Sequence, residues 1–323
     1  MRPLAFVGRH ATKFMAGGVL VGFVVPPLAA LAKPLLVPAL VIPLALALIR
    51  LDWSAIAASR RRAGLVAALV VWILGVSPLL VWAITTPALA LGLPAALREA
   101  LILMSASSPI VSSVAIALFV GLDATLAVVA VVFATALVPI TLPPVALALL
   151  DLELTISLPA FMGRLAAMVG SAFVAAWVVR RIARPSTLVA QRELIDGFGV
   201  VNLVVFAVAI MDGVTAFALE RPGYAALATA LAFAFNIVLQ AAGWLAFRRH
   251  GAVAAVTAGL VSGNCNMGLV LVALSGHASV EVTSFFALAQ LPMFMLPALL
   301  EPLYRRALNA ARDAGSQERG RSR

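Results

Sequence analysis

The sequence predicts an all-α integral membrane protein with ten transmembrane helices, arranged as two inverted five-helix repeats in which helices 4 and 9 are broken and cross. Three observations lead to this fold class. The chain is 63% hydrophobic and only 11% charged, more apolar than a soluble domain can bury. Its apolar stretches run for about 18 residues or more without the period-2 alternation of barrel strands, which favours helices. Its positive charges are unevenly divided between alternate connections.

Ten apolar spans follow one another along the chain. They are residues 14–31, 35–49, 64–83, 99–120, 124–150, 165–179, 197–215, 224–247, 252–276 and 282–304. The first span is longer than the usual core of a signal peptide and contains two prolines, so it is kept as a helix. The polar residues from 308 to 323 predict a disordered cytoplasmic tail.

The distribution of Lys and Arg supports the count of ten spans. Of the 23 cations, 19 lie in the two terminal segments and in alternate connections, and the other connections hold only Lys33, Arg98, Arg164 and Arg221. Because positive residues favour the cytoplasmic side, both termini are predicted to be cytoplasmic, in the inner membrane. The net charge of +10 is then mostly a matter of topology, and nucleic acid is not an expected partner.

Two polar stretches interrupt apolar spans at corresponding places. Residues 105–118 read "SASSPIVSSVAIAL" and residues 261–274 read "VSGNCNMGLVLVAL", each in the fourth span of its half. Pro109 breaks one helix, and glycines loosen the other. Backbone groups freed at membrane depth must find partners or line a wet cavity. Paired interruptions of this kind indicate a transporter binding site near the middle of the bilayer.

The predicted substrate-binding residues are the polar and helix-loosening members of these two stretches. They are Ser107, Ser108, Pro109, Ser112, Ser113, Ser262, Gly263, Asn264, Asn266 and Gly268. The alternative is packing, because small residues let membrane helices approach closely and Ser and Asn form bonds between helices. Two asparagines at i and i+2 in lipid are hard to satisfy by packing alone, which favours a site.

Three further polar residues are candidates for ion coupling or for the transport pathway. Asp212 is an acid inside an apolar span, where carboxylates often relay protons, although it could instead lie near the outer end and cap a break at Gly213. Asn236 and Gln240 share one face of the eighth helix and could line the pathway or bond a neighbouring helix. No metal site or cofactor is predicted, since the single cysteine and three scattered histidines form no ligand pattern.

The two interrupted stretches resemble those of the bile acid:sodium symporter family, part of the bile/arsenite/riboflavin transporter superfamily. The family's first crossing has a central Pro in a run of small residues followed by hydroxyl residues, as around Pro109 here. Its second typically reads Glu-x-Gly-x-Gln-Asn-x-Gly-Leu, of which Gly263, Asn266, Gly268 and Leu269 are present. In helix number, orientation and order, the resemblance extends over most of the chain.

The resemblance implies a division of the helices and a substrate class. Residues 1–63 and 151–222 would form a panel, and residues 64–150 and 223–307 a core that moves against it. The cargo would be an amphipathic organic anion, such as a bile acid, a sulfated steroid or a small carboxylate. The family's sodium-holding glutamate and glutamine fall on Val261 and Cys265 here, and its Ser-Asn pair falls on Val114 and Ala115. We therefore expect no sodium coupling through these positions.

The sequence thus predicts a secondary transporter of an organic anion, held in the lipid bilayer, rather than an enzyme. The alternative is a non-transporting receptor, sensor or scaffold that has kept the fold but lost ion coupling. The sequence leaves open the substrate, the direction of transport, the choice between sodium and proton as coupling ion, and the oligomeric state.

Overall fold

The computed structural model describes residues 11–49, 62–150 and 156–321. In these ranges the regular elements are helices. The predicted cytoplasmic charges at residues 1–10 and 50–61 lie outside the described part, as do residues 151–155 and 322–323.

The first half of the chain contains eight described α-helices. They are α1 (Ala11–Val24), α2 (Pro26–Ala32), α3 (Leu36–Ile49), α4 (Ala63–Val71), α5 (Ser77–Ala90), α6 (Ala95–Ser105), α7 (Ser112–Val120) and α8 (Ala124–Leu150). Prolines occupy the first turn of α2, where a missing N–H costs nothing. A π turn joins α4 to α5. Gly121 ends α7 in the left-handed conformation (φ +84°).

The second half continues with nine described α-helices. They are α9 (Leu158–Ile182), α10 (Pro185–Ala190), α11 (Arg192–Ala209), α12 (Val214–Glu220), α13 (Pro222–Phe247), α14 (Ala252–Gly263), α15 (Met267–Ala273), α16 (Val280–Leu288) and α17 (Gln290–Arg321). The backbone of α17 is helical through Arg321, whereas the sequence predicts a disordered tail from residue 308. Alanine and arginine recur in this segment and are strong helix formers, which favours the helix.

Seven helical stretches among the described residues are long and apolar enough to cross a membrane. They are Pro26–Ile49, Ala63–Ala90, Ala124–Leu150, Leu158–Ile182, Gly197–Glu220, Pro222–His250 and Val280–Asn309. The other three predicted spans correspond to shorter helices: α1 has 14 residues, and the spans at 99–120 and 252–276 are each divided in two. The apolar helices indicate a multi-pass membrane protein.

Close approach at two glycines shows that α1 runs in the same direction as α11. A Cβ added at Gly18 would lie 3.2 Å from a side-chain carbon of Val204, and one added at Gly22 would lie 2.7 Å from the carbonyl oxygen of Val208. Residues that ascend along α1 therefore meet residues that ascend along α11.

The helix α3 runs in the opposite direction. A Cβ at Gly199, near the start of α11, would lie 3.5 Å from Leu46 near the end of α3. Farther along α11, Phe206 lies beside Gly268. Leu40, which precedes Leu46 in α3, lies beside Gly268 as well. Thus α1 and α3 traverse the molecule in opposite directions, although the segment Pro26–Ile49 reads as one continuous apolar stretch.

Candidate functional site

The first interrupted segment breaks around Pro109, as predicted. Helix α6 ends at Ser105 and α7 begins at Ser112. Proline lacks an N–H and disfavours the helical conformation of the residue before it, which accounts for the break. The hydroxyls of Ser105 and Ser107 donate to the carbonyl oxygens of Ile102 (2.9 Å) and Met104 (2.7 Å), within the last turn of α6.

The second segment breaks at its asparagines. Asn264 (φ −90°, ψ 73°) and Asn266 (φ −85°, ψ 70°) each have the conformation of the central residue of an inverse γ-turn. The corresponding bonds run from the N–H of Cys265 to Gly263 and from the N–H of Met267 to Cys265, both at 3.1 Å. The side chain of Asn266 then caps α15 by accepting from the N–H of Leu269 at 3.3 Å.

The two breaks meet and pair through their backbones. The N–H of Ile110 donates to the carbonyl oxygen of Asn264, and the N–H of Asn266 donates to that of Ser108, both at 2.7 Å. These bonds form a single antiparallel bridge between Pro109 and Cys265. They satisfy backbone groups that the breaks would otherwise leave unpaired in an apolar surrounding. The prediction that the two segments are interrupted and face one another is confirmed.

Gly263 and Gly268 do not form the second break, in contrast to the sequence interpretation. Both are helical, and both make room for a neighbouring element. A Cβ at Gly263 would lie 2.6 Å from the carbonyl oxygen of Asn236 in α13. A Cβ at Gly268 would lie 2.9 Å from the Phe206 ring in α11 and 3.2 Å from Leu40 in α3. The glycines therefore set how closely the broken helix packs.

Phe206 is a site residue that the sequence analysis does not identify. Its ring is buried and lies against Gly268, the second residue of α15 after the break. An aromatic residue among the aliphatic residues of a membrane helix gives no local signal of this role.

Ser262 is held by structural bonds. Its hydroxyl donates to the carbonyl oxygen of Ala258 at 2.6 Å and accepts from the indole N–H of Trp72 at 2.9 Å. Trp72 lies in the π turn between α4 and α5, so this contact braces α14 against the first half of the chain. The packing alternative therefore accounts for Ser262.

Asn236 and Gln240 brace the second break from behind. The amide of Asn236 donates to the carbonyl oxygen of Gly263 at 2.8 Å, and the amide of Gln240 donates to Asn236 at 2.7 Å. The hydroxyl of Tyr304 donates to the remaining oxygen of Gln240. All three side chains are buried. Their hydrogen bonds form a chain of side chains, here called the supporting chain, that leads from α17 through α13 to the end of α14. Sequence analysis does not identify its member in α17, Tyr304.

Asp212 lies at a helix end and not at the breaks. It precedes Gly213, which has φ +77° and separates α11 from α12, so it lies beside the break in the helix that the alternative interpretation names. Its carboxylate forms an ion pair with Lys33 at 2.7 Å and is 24% exposed. The ion pair with Lys33 gives this acid a partner, and a role in ion coupling or in the transport pathway stays a prediction.

Three polar atoms at the breaks have no hydrogen-bond partner. They are the hydroxyl oxygens of Ser108 and Ser113 and the side-chain oxygen of Asn264, and all three residues are fully buried. Ser112, beside Ser113 at the start of α7, is half-buried. The segments 105–118 and 261–274 carry no charged residue. Among the described residues, no group of three or more His, Cys, Asp or Glu side chains could hold a metal ion.

An apolar cavity lies apart from the breaks. It has a volume of about 500 Å³ and is bounded by α1, α12, α13, α16 and α17, together with Met211 in the turn between α11 and α12. Its one hydroxyl, that of Thr229, donates to the carbonyl oxygen of Ala225 at 2.8 Å. The cavity therefore offers apolar contact alone, and none of its lining residues belongs to the two broken segments.

No protein-family model matches the chain, and no curated protein has significant sequence similarity to it. The resemblance to the bile acid:sodium symporter family therefore stays a prediction based on the two segments.

Proposed function

We propose that the protein is a secondary transporter of an organic anion that works by alternating access around the two broken helices. One observation carries the proposal: the breaks in α6–α7 and α14–α15 meet and are joined by two backbone hydrogen bonds. In a membrane, irregular backbone is tolerated only where protein buries it or where it lines a cavity. Paired broken helices in corresponding positions of two halves are typical of transporter binding sites.

The proposed topology has ten crossings in two inverted halves, with both termini in the cytoplasm. Seven apolar stretches are long enough to cross by themselves. The two broken pairs, α6–α7 and α14–α15, each supply one more crossing. The opposite directions of α1 and α3 separate the start of the chain into two crossings. The unequal distribution of Lys and Arg supplies the orientation.

Contacts within and between the proposed panel and core can be assigned to particular residues. Helices α3 and α9 share a small apolar cluster that contains Leu44, Leu48 and Ala172, and Val111 and Val132 of the proposed core pack against it. The hydrogen-bonded side chains of Asn236 and Gln240 lie in α13, which belongs to the proposed core. The contact of Gly268 with α11 and α3 is where a broken helix of the core meets the panel. The apolar cavity also lies between members of both groups.

The proposed cargo class follows from the family resemblance, and the apolar cavity agrees with it. An apolar cavity between core and panel suits the apolar part of an amphipathic anion.

Flux into reconstituted vesicles tests the proposal, with Asn266→Leu as the perturbation. This variant should lose transport of steroid carboxylates and small carboxylates, because it removes the polar side chain next to the backbone bridge. Asn266→Ser retains an oxygen that can cap α15 but lacks the amide group. A comparison of its flux with that of Asn266→Leu therefore separates the capping of α15 from the recognition of cargo. Asn202→Leu is the matched control, since Asn202 is in α11 and its amide bonds the carbonyl of Phe198. Unchanged flux in Asn266→Leu, or ligand binding without any flux in the unaltered protein, would contradict the proposal.

A further inference from the structure

Buried hydroxyls beside the two breaks behave in two ways. Those of Ser105, Ser107 and Ser262 donate to helix carbonyl oxygens, as hydroxyls in membrane helices commonly do. Those of Ser108 and Ser113 have no partner, although both residues are fully buried. An unpaired buried polar group is costly, so each such group in a folded protein calls for an explanation.

The bridge geometry places two of the unpaired atoms on one face. Pro109 and Cys265 are the directly opposed pair, and the bonds connect Ser108 with Asn266 and Ile110 with Asn264. Side chains alternate between the two faces of paired extended segments. The side chains of Ser108 and Asn264 therefore lie on the same face, opposite to the face of Pro109 and Cys265.

The unpaired oxygen of Asn264 can only accept a hydrogen bond. Its amide nitrogen donates to the carbonyl oxygen of Leu260 at 2.9 Å. Rotating the amide by 180° would place its oxygen against that carbonyl, and two acceptors repel, so the orientation is fixed. The free oxygen of Asn264 thus requires a donor, whereas the free hydroxyl of Ser108 can donate or accept.

A bare carboxylate does not fit these requirements. Carboxylate oxygens are acceptors only and cannot satisfy Asn264. Neither broken segment carries a cation that would compensate a buried negative charge. A hydroxyl group does fit, because it can donate to Asn264 while it accepts from Ser108.

We propose that the crossing of the two broken helices binds a hydroxyl group of the cargo, which donates to the side-chain oxygen of Asn264 and accepts from the hydroxyl of Ser108. The inference rests on the proposed function and narrows its cargo to hydroxylated organic anions. The anionic group of the cargo then lies outside the neutral crossing. Because the site contains an acceptor that stays unpaired without the hydroxyl, it discriminates strongly against the analogue that lacks one.

Ligand-induced thermal stabilisation of the purified protein measures this discrimination. The probes are 2-hydroxypropionate against propionate, and a trihydroxylated steroid carboxylate against the same skeleton without hydroxyls. We expect a hydroxylated probe to bind at least about tenfold more tightly than its partner. The preference should disappear in Asn264→Leu and Ser108→Ala. It should persist in the matched controls Asn202→Leu and Ser105→Ala, which alter an amide and a hydroxyl with bonds of their own.

The ligand-free melting temperature provides a second measurement. Ser108→Ala should raise it, because the substitution removes a buried hydroxyl that has no partner. Ser105→Ala should lower it, because that hydroxyl is bonded. A lower melting temperature in Ser108→Ala would show that an internal water alone occupies the site and would overturn the inference.

The outcomes separate this inference from the proposed function. Equal binding of hydroxylated and unhydroxylated probes, or binding of neither, overturns the hydroxyl site, whatever the flux. Selective binding of hydroxylated probes without flux in vesicles supports the hydroxyl site and overturns transport. Transport of unhydroxylated acids as fast as hydroxylated ones supports the proposed transport function and overturns the hydroxyl site.

Discussion

Replacing Gly268 by alanine should force the second broken helix away from α11. The added Cβ would lie 2.9 Å from one atom of the Phe206 ring and closer to another, and 3.2 Å from Leu40. Real Cβ contacts are essentially never under 3.0 Å, so the ring or the helix has to move. Both neighbours belong to the proposed panel, and the substitution thus acts on its contact with the core.

The net cost is the difference between two effects. Overpacking a close contact costs about 1–3 kcal/mol. Alanine is more stable than glycine in a helix by about 0.5–1 kcal/mol. The difference between these ranges is about 0–2.5 kcal/mol. Gly268→Ala should therefore lower the free energy of unfolding by roughly 1 kcal/mol, which is about 1–2 °C in melting temperature for a chain of this length. Gly170→Ala in α9 is the matched control: its Cβ meets nothing within 4 Å, so it should be neutral or stabilising.

A double-mutant cycle with Phe206→Leu identifies the contact responsible. The smaller side chain makes room for the new Cβ, so Gly268→Ala should become neutral or stabilising in that background, with a coupling of about 1–3 kcal/mol. Melting temperatures of the four proteins in detergent are sufficient. Strictly additive effects would refute the packing of Phe206 on the broken helix.

Three further outcomes follow from the contacts described. Tyr304→Phe should lower the free energy of unfolding by about 1–3 kcal/mol, because it leaves the oxygen of Gln240 buried and unpaired. Tyr224→Phe should not lower it, since the Tyr224 hydroxyl has no partner. Equal losses on thermal unfolding would contradict the supporting chain. Asp212→Asn should lower the free energy of unfolding by less than about 1 kcal/mol, because the pair with Lys33 is partly exposed. The variant should also transport into vesicles at the normal rate. Loss of flux with a normal melting temperature would instead identify Asp212 as a coupling group. Stability and flux should be equal in sodium and potassium, because the two broken segments contain no carboxylate, and stabilisation by sodium alone would contradict this expectation.

Features with a local physical cause could be predicted from the sequence. Helix α8 has the predicted bounds, 124–150, because its apolar residues are continuous and its flanks are not. Pro109 removes a donor, and the first break lies around it. The pairing of the two breaks could also be predicted, since their freed backbone groups need partners in lipid.

Features that depend on distant partners could not be predicted. Tyr304 reaches Gln240 across 64 residues, and Trp72 reaches Ser262 across 190. Neither spacing has a sequence pattern. The role of Gly268 as a contact for Phe206 likewise depends on tertiary packing, which a run of small residues does not reveal. For the same reason the sequence predicts both Ser262 and Asn264 to bind substrate, although the hydroxyl of Ser262 is bonded within its own helix. The side-chain oxygen of Asn264 has no partner.

A cysteine crosslink tests the meeting of the two broken helices most directly. Cys265 is the single cysteine of the chain and lies directly opposite Pro109 in a pair without hydrogen bonds between its own members. Such pairs have Cα atoms about 4.5 Å apart, within the range that a disulfide spans. Pro109→Cys, oxidised with iodine in membranes, should form an intramolecular disulfide, while Pro94→Cys at the start of α6 should not. Free thiols at both 109 and 265 after oxidation would contradict the crossing on which the proposed transport site depends.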